Sequence, residues 1–162
     1  MQQDWKVQRC AQHCAACRME FGRGQDFFSA LCEEGEGFER LDFCPSCWQG
    51  GRSNGFFSFW KTQLPADGRR RRIDVEVVLD LFTKLGEGGA SDRVPMRFVL
   101  ALYLTRRKAL KLLGIRREGE RELIDFTRPG SEDVFPVENP HLDQPQMDAL
   151  TESLKDLLQA DL

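Results

Sequence analysis

The sequence predicts an α+β fold: a small metal-stapled antiparallel β module, then a helical body with a short β-hairpin and a C-terminal amphipathic helix. Three observations carry this expectation. Two Cys-x-x-Cys pairs, Cys14 with Cys17 and Cys44 with Cys47, stand twenty-six residues apart. Eight of the twelve Phe and all three Trp fall in the first sixty positions, around those pairs. Past residue 74 the apolar residues recur at helical spacing instead.

The cysteine pairs carry the chemistry. A Cys-x-x-Cys turn aims two sulfurs at one point, and a second such turn completes a tetrahedral set, so Cys14, Cys17, Cys44 and Cys47 read as ligands of one structural zinc ion. Pro45 suits the second turn because it presets φ and needs no amide partner. Disulfides are the competing use of cysteine. The polar start, Met1 to Lys6, lacks the apolar run of a secretory signal, so a reducing cytoplasm is expected.

Cys10, Cys14 and Cys17 also spell Cys-x-x-x-Cys-x-x-Cys, an iron–sulfur spacing, and an iron–sulfur or redox protein is the second alternative. About 145 residues follow this triplet, against the ~200 or more of a β/α barrel that would serve such a cluster. Cys10 is therefore expected to be a spare thiol and Cys32 a small half-buried hydrophobe. His13, beside Cys14, is left outside the ligand set.

Residues 1–64 are expected to form the zinc-binding β module. Phe27 to Leu31 and Phe38 to Phe43 read as two strands joined by the polar turn Glu33-Glu34-Gly35-Glu36-Gly37. A third aromatic strand runs from Phe56 to Trp60. Residues 65–162 make the mainly helical body. Val75, Val78, Leu79, Phe82 and Leu85 recur at helical spacing, and Gly86 ends that helix. A second helix starts near Pro95, a residue favoured in a first turn, and runs to Leu113 before Gly114. Its segment Phe98 to Leu104 is apolar all round, which marks a buried helix. A hairpin follows at about 121–138, with Glu122 to Phe126 and Asp133 to Val137 joined through Arg128-Pro129-Gly130. The last helix, about 143–160, places Met147, Leu150, Leu154, Leu157 and Leu158 on one side, and Asp143 with Gln146 makes a capping box.

The net charge of −3 is unevenly spread. Residues 1–64 hold seven Lys/Arg and eight Asp/Glu, 65–128 hold fifteen and ten, and 129–162 hold one and eight. A basic middle beside an acidic tail implies internal neutralisation or two surfaces with different partners. No apolar run approaches the ~20 residues of a membrane helix.

The motifs around Cys14-Ala15-Ala16-Cys17, Arg40-Leu41-Asp42-Phe43-Cys44-Pro45-Ser46-Cys47-Trp48 and Phe57-Ser58-Phe59-Trp60-Lys61, with Arg97 to Leu102 and Asn139 to Leu142, resemble an uncharacterised family of bacterial proteins. More broadly, the cysteine pairs and hairpin are similar to zinc-ribbon and treble-clef modules, which implies a structural site on Cys14, Cys17, Cys44 and Cys47.

A complete thiolate quartet favours a non-enzymatic role, because catalytic zinc keeps an open position. The two histidines, His13 and His141, fit no deaminase or metalloprotease pattern, and no phosphate-binding glycine loop occurs. The expected role is to present an interaction surface, with a protein partner. The alternative partner is nucleic acid, through Arg69, Arg70, Arg71, Arg72, Arg106, Arg107 and Lys108, with Lys111, Arg116 and Arg117 adding charge and Phe56, Phe57, Phe59 and Trp60 as stacking groups. The acidic balance of the whole chain weighs against it.

Overall fold

A computed structural model of the chain describes residues 10–35, 37–50, 55–66, 71–89, 91–158 and 160–161, of which 71, 72, 160 and 161 are described by their backbone alone. The fold is α+β, with two separate three-stranded antiparallel sheets and three α-helices among the described residues. It divides into two compact units, Met1–Ile73 together with Ser153–Leu162, and Asp74–Glu152. The sequence reading set the division after residue 64 and kept the last helix with the body.

In the first unit, β1 (Asp26–Glu34) lies between β2 (Gly37–Phe43) and β3 (Ser58–Gln63). Alternation writes the two faces. Phe27, Ser29 and Leu31 are fully buried on one side, and across the ladders they meet Asp42, Arg40, Trp60 and Ser58. The other face carries Phe28, Phe43 and Phe59, all half-buried. Gly35 supplies the positive φ, 59°, that the turn between β1 and β2 needs. β3 starts two residues later than the aromatic run suggested, because Phe56 and Phe57 are still entering the ladder, with Phe57 N–H donating to Leu31 O at 2.8 Å. The short strands β4 (Arg71–Arg72) and β8 (Ala160–Asp161) pair in parallel.

The second unit opens on α1 (Val75–Glu87), capped by the Asp74 carboxylate, which accepts from Glu76 N–H at 3.0 Å. Its buried stripe is Val78, Leu79, Leu81, Phe82 and Leu85. Gly86 lies inside the helix, and the cap is Gly88. After the 3-10 turn Ser91–Arg93, α2 (Val94–Arg106) carries Pro95 in its first turn and buries Met96, Val99, Leu100, Ala101, Tyr103 and Leu104. It packs on α1 and on β7 (Val134–Glu138).

The second helix corrects the expectation that it would reach Leu113. It ends at Arg106, closed by a Schellman motif: Ala109 N–H donates to Leu104 O at 2.9 Å and Lys108 N–H to Thr105 O at 3.0 Å. The left-handed residue this motif requires is Lys108, at φ 60°. Glycine usually fills that place, so the stop has no glycine to announce it. The basic residues expected on the helix's second half lead instead into β5 (Lys111–Glu118). This strand joins β6 (Arg121–Thr127) through the two-residue loop Gly119-Glu120, with Gly119 at φ 64°. The expected hairpin exists as β6 and β7, and β5 makes it a three-stranded sheet in the order β5-β6-β7.

The last helix, α3 (Gln144–Leu158), has the expected capping box. Gln146 N–H donates to Asp143 Oδ1 at 2.8 Å, and Asp143 N–H donates to Gln146 Oε1 at 2.9 Å. Its residues Leu154, Leu157 and Leu158 belong to the first unit and are buried.

Candidate metal centre

The two Cys-x-x-Cys turns meet at the end of the first sheet. The first is a tight hairpin: Cys14 N–H donates to Met19 O at 2.9 Å, Arg18 N–H to Cys14 O at 2.9 Å and Phe21 N–H to Gln12 O at 2.8 Å. Gln12 and Arg18 bend it with positive φ values of 59° and 61°. The second turn continues from β2, with Cys47 and Trp48 N–H groups both donating to Cys44 O at 3.0 Å. One main-chain bond joins them, from Ala15 N–H to Asp42 O at 2.7 Å.

These turns bring the sulfurs of Cys14, Cys17, Cys44 and Cys47 within 4.8 Å of one another. Cys17 and Cys44 Sγ are 3.8 Å apart. Zn–S bonds of about 2.3 Å at tetrahedral angles separate sulfurs by about 3.8 Å, so four deprotonated sulfurs in this arrangement can hold a metal ion. A disulfide needs about 2.05 Å, and all six cysteines are free thiols.

The protons of the quartet are unevenly held. Burial works against ionising Cys14, but the amides of Cys17, Cys44 and Ala16, with the Cys17 thiol, outweigh it and bring the Cys14 thiol down to about 6. Cys47 is pushed up to about 12, chiefly by hydrogen bonding with the Cys44 and Cys17 thiols, with smaller contributions from burial and Cys14. Within the quartet, Cys14 therefore gives up its proton more readily than Cys47. A cation that binds all four displaces such protons.

Support comes from an apolar wall and a polar girder. Cys14 and Cys44 are buried with Cys10, Phe21 and Phe27, and the Phe21 and Phe27 rings stack at 4.3 Å. The girder is Arg40, Asp42 and Ser29, at 4 %, 2 % and 0 % exposure. Arg40 Nε donates to Asp42 Oδ1 at 2.9 Å, Ser29 Oγ donates to the same oxygen at 2.6 Å, and Ala11 N–H donates to Asp42 Oδ2 at 3.3 Å. Arg40 Nη1 donates to Leu157 O at 2.5 Å, and its guanidinium lies 5.5 Å from the centre of the Trp60 indole. Asp42 therefore holds the first cysteine turn through main chain and side chain, two residues before the second turn begins. The sequence reading placed a strand over Phe38 to Phe43 but missed this network. Its signal is Arg40 and Asp42 two apart on one face of a strand, opposite Ser29.

The other sulfur and imidazole candidates lie outside the quartet. Cys10 is buried, its Sγ accepts from Gln12 N–H at 3.4 Å, and burial, then the Asp42 charge, push its thiol up to about 11. Cys14 and Cys17 are gathered with Cys44 and Cys47, not with Cys10, so the iron–sulfur triplet is not the set brought together. Cys32 sits half-buried on β1 opposite Glu39, and burial first, then Glu39, raise its thiol. His13 is exposed, with Nδ1 at 2.7 Å from Ala11 O.

The expected nucleic-acid residues are dispersed. Arg69 and Arg70 lie outside the described residues, and Arg71 and Arg72 form β4. Arg106, Arg107 and Lys108 are exposed where α2 ends, and Lys111, Arg116 and Arg117 are exposed on β5. Arg116 is bound by Asp125 and Glu118, and Arg117 lies 3.9 Å from Glu122. Trp60 is only 4 % exposed and cannot stack on a base. Phe56, Phe57 and Phe59 are half-buried; Phe56 and Phe59 sit around Trp48, whose ring also stacks on Phe28 at 4.8 Å. No helix among the described residues is long and apolar enough to cross a membrane. Comparisons with family models, with curated proteins and with solved structures found no match.

Proposed function

We propose that the protein is a zinc-stapled, non-catalytic interaction module, in which a structural ion on Cys14, Cys17, Cys44 and Cys47 fixes the first sheet so that its surface can engage a protein partner. The observation that carries this reading is the closed set of four sulfurs, with no imidazole or carboxylate among them. Structural zinc sites have this composition, whereas catalytic ones leave a coordination position to water or substrate. When bound, the ion supplies cross-linking between two turns that otherwise share few bonds. The half-buried rings around Trp48 give the held sheet an aromatic face, a composition enriched where proteins meet.

Metal content and an absorption spectrum, measured on anaerobically purified protein, test the assignment. One colourless zinc ion per chain, lost in Cys44→Ser and kept in Cys10→Ser, is the expected result. Brown iron and sulfide that depend on Cys10 would replace it with a cluster protein, and a folded, metal-free wild type would end it. The second reading, nucleic-acid binding, is favoured only by the exposed Arg106, Arg107 and Lys108. Salt-sensitive retardation of DNA or RNA, abolished when these three are changed to Gln, would promote it over the first.

A further inference from the structure

The second unit contains a cleft of about 280 Å³ whose rim holds four arginines, Arg93, Arg97, Arg116 and Arg121, against Glu118 and Glu138. Three of the four have acidic or other partners. Arg116 is bound by Asp125 and Glu118, Arg121 reaches Glu138 at 3.8 Å, and Arg93 makes a further interaction. Arg97 differs. It is half-buried, and its hydrogen bonds go to neutral carbonyls: Nε donates to Phe82 O at 3.3 Å and Nη1 to Pro136 O at 2.7 Å. Among the described residues no carboxylate lies within ion-pair distance of it. The Phe82 ring, 4.9 Å from its guanidinium carbon, orients the group, and burial lowers its pKa.

A half-buried guanidinium without an anion carries part of a desolvation cost, and proteins normally pair such a charge. The cleft leaves room for a partner on its open side, while the α1 side is closed by a tight packing contact. Gly86 faces Arg97, and a Cβ there would collide with its Nη2, Cζ and Nε atoms. Glycine inside α1 costs about 1 kcal/mol against alanine, so the close approach gives this position a physical reason. The cleft is a little smaller than the 300–1,000 Å³ typical of drug-sized ligands, which suits one compact anionic group.

We propose that this cleft binds a small oxyanion, a phosphate or carboxylate group, whose oxygens accept from the Arg97 guanidinium with Arg93 and Arg121 at the rim. Fork-shaped donors recognise both groups through paired N–H···O bonds. The site is independent of the cysteine quartet, so its failure would leave the zinc reading standing.

Titration calorimetry on the full chain at constant ionic strength, with inorganic phosphate in one arm and malonate in the other, tests the assignment. Saturable binding in either arm, weakened about tenfold or more by Arg97→Gln, is the expected result, and the arm that binds identifies the group. Gly86→Ala should weaken it comparably while favouring the helix, which separates a lost site from a lost fold. Arg107→Gln, exposed at the end of α2, should bind like the wild type. Folded wild type that binds neither anion, or binding unchanged in Arg97→Gln and Gly86→Ala, would overturn the proposal.

Discussion

Replacing Asp42 with Asn strikes the girder under the cysteine turns while keeping its shape. At 2.9 Å, the Arg40–Asp42 attraction is worth about 6 kcal/mol with an effective dielectric of ~20, before desolvation is subtracted. Both side chains are at most 1 % exposed. Removing one charge therefore strands the other where water cannot reach it, and breaking a buried pair in this way costs about 3–5 kcal/mol. For a unit this small, an m-value of roughly 1–1.5 kcal/mol/M turns that loss into a urea midpoint lowered by about 2–5 M. Trp48 and Trp60 belong to the first unit and no Trp falls between residues 74 and 152, so tryptophan fluorescence follows its unfolding selectively. The cycle of Arg40→Met, Asp42→Asn and the double variant should show a coupling of several kcal/mol. A midpoint within 0.5 M of wild type for Asp42→Asn, or strictly additive effects, would refute the idea that this pair braces the site.

Three further outcomes are expected. Cys44→Ser should lose the bound metal and the near-ultraviolet circular dichroism of the first unit, and a strong chelator should do the same to the wild type, whereas Cys10→Ser should keep both; a Cys44→Ser protein with full signal and unchanged melting temperature would contradict the stapling role. Metal occupancy, read with a colorimetric indicator, should fall as pH drops from 8 to 5.5, because protons compete for the sulfurs, and loading at pH 7.5 should release a proton from Cys47 and little from Cys14; occupancy that ignores pH would speak against thiolate ligation. Lys108→Gly should stabilise the second unit by about 0.5–1 kcal/mol, since glycine adopts the left-handed conformation without the cost a side chain carries there; amide exchange in α2 and β5 measures it, and a loss of protection would argue against the Schellman ending.

The site was legible in the sequence because its chemistry is local. Two cysteines two apart in a turn converge wherever that turn is placed, so Cys14, Cys17, Cys44 and Cys47 could be grouped before any coordinates. The strands β1, β2, β6 and β7 and the capping box of α3 were legible for the same reason, since alternation and caps act within a few residues. What escaped depends on distant partners or unusual conformers. The first three residues of β5, Lys111 to Leu113, read as helix because they follow an apolar helix without a glycine or proline between them, and Lys108 makes the break in a conformation that lysine rarely adopts. The girder escaped because Arg40 and Asp42 look like ordinary surface charges until Ser29, Trp60 and Leu157 close around them.

That closure by Leu157 sets an order on the protein's making. The first unit is not contiguous: Ile73 and Ser153 are eighty positions apart, yet both belong to it. At about 5–20 residues per second, a ribosome needs on the order of ten seconds to travel from one to the other. During that interval the cysteine turns have been synthesised, with Arg40 lacking the carbonyl that finally caps it. A metal ion captured then would hold the nascent turns together until the last helix arrives. A fragment cut at Ile73 would keep all four sulfurs and lack that final lock.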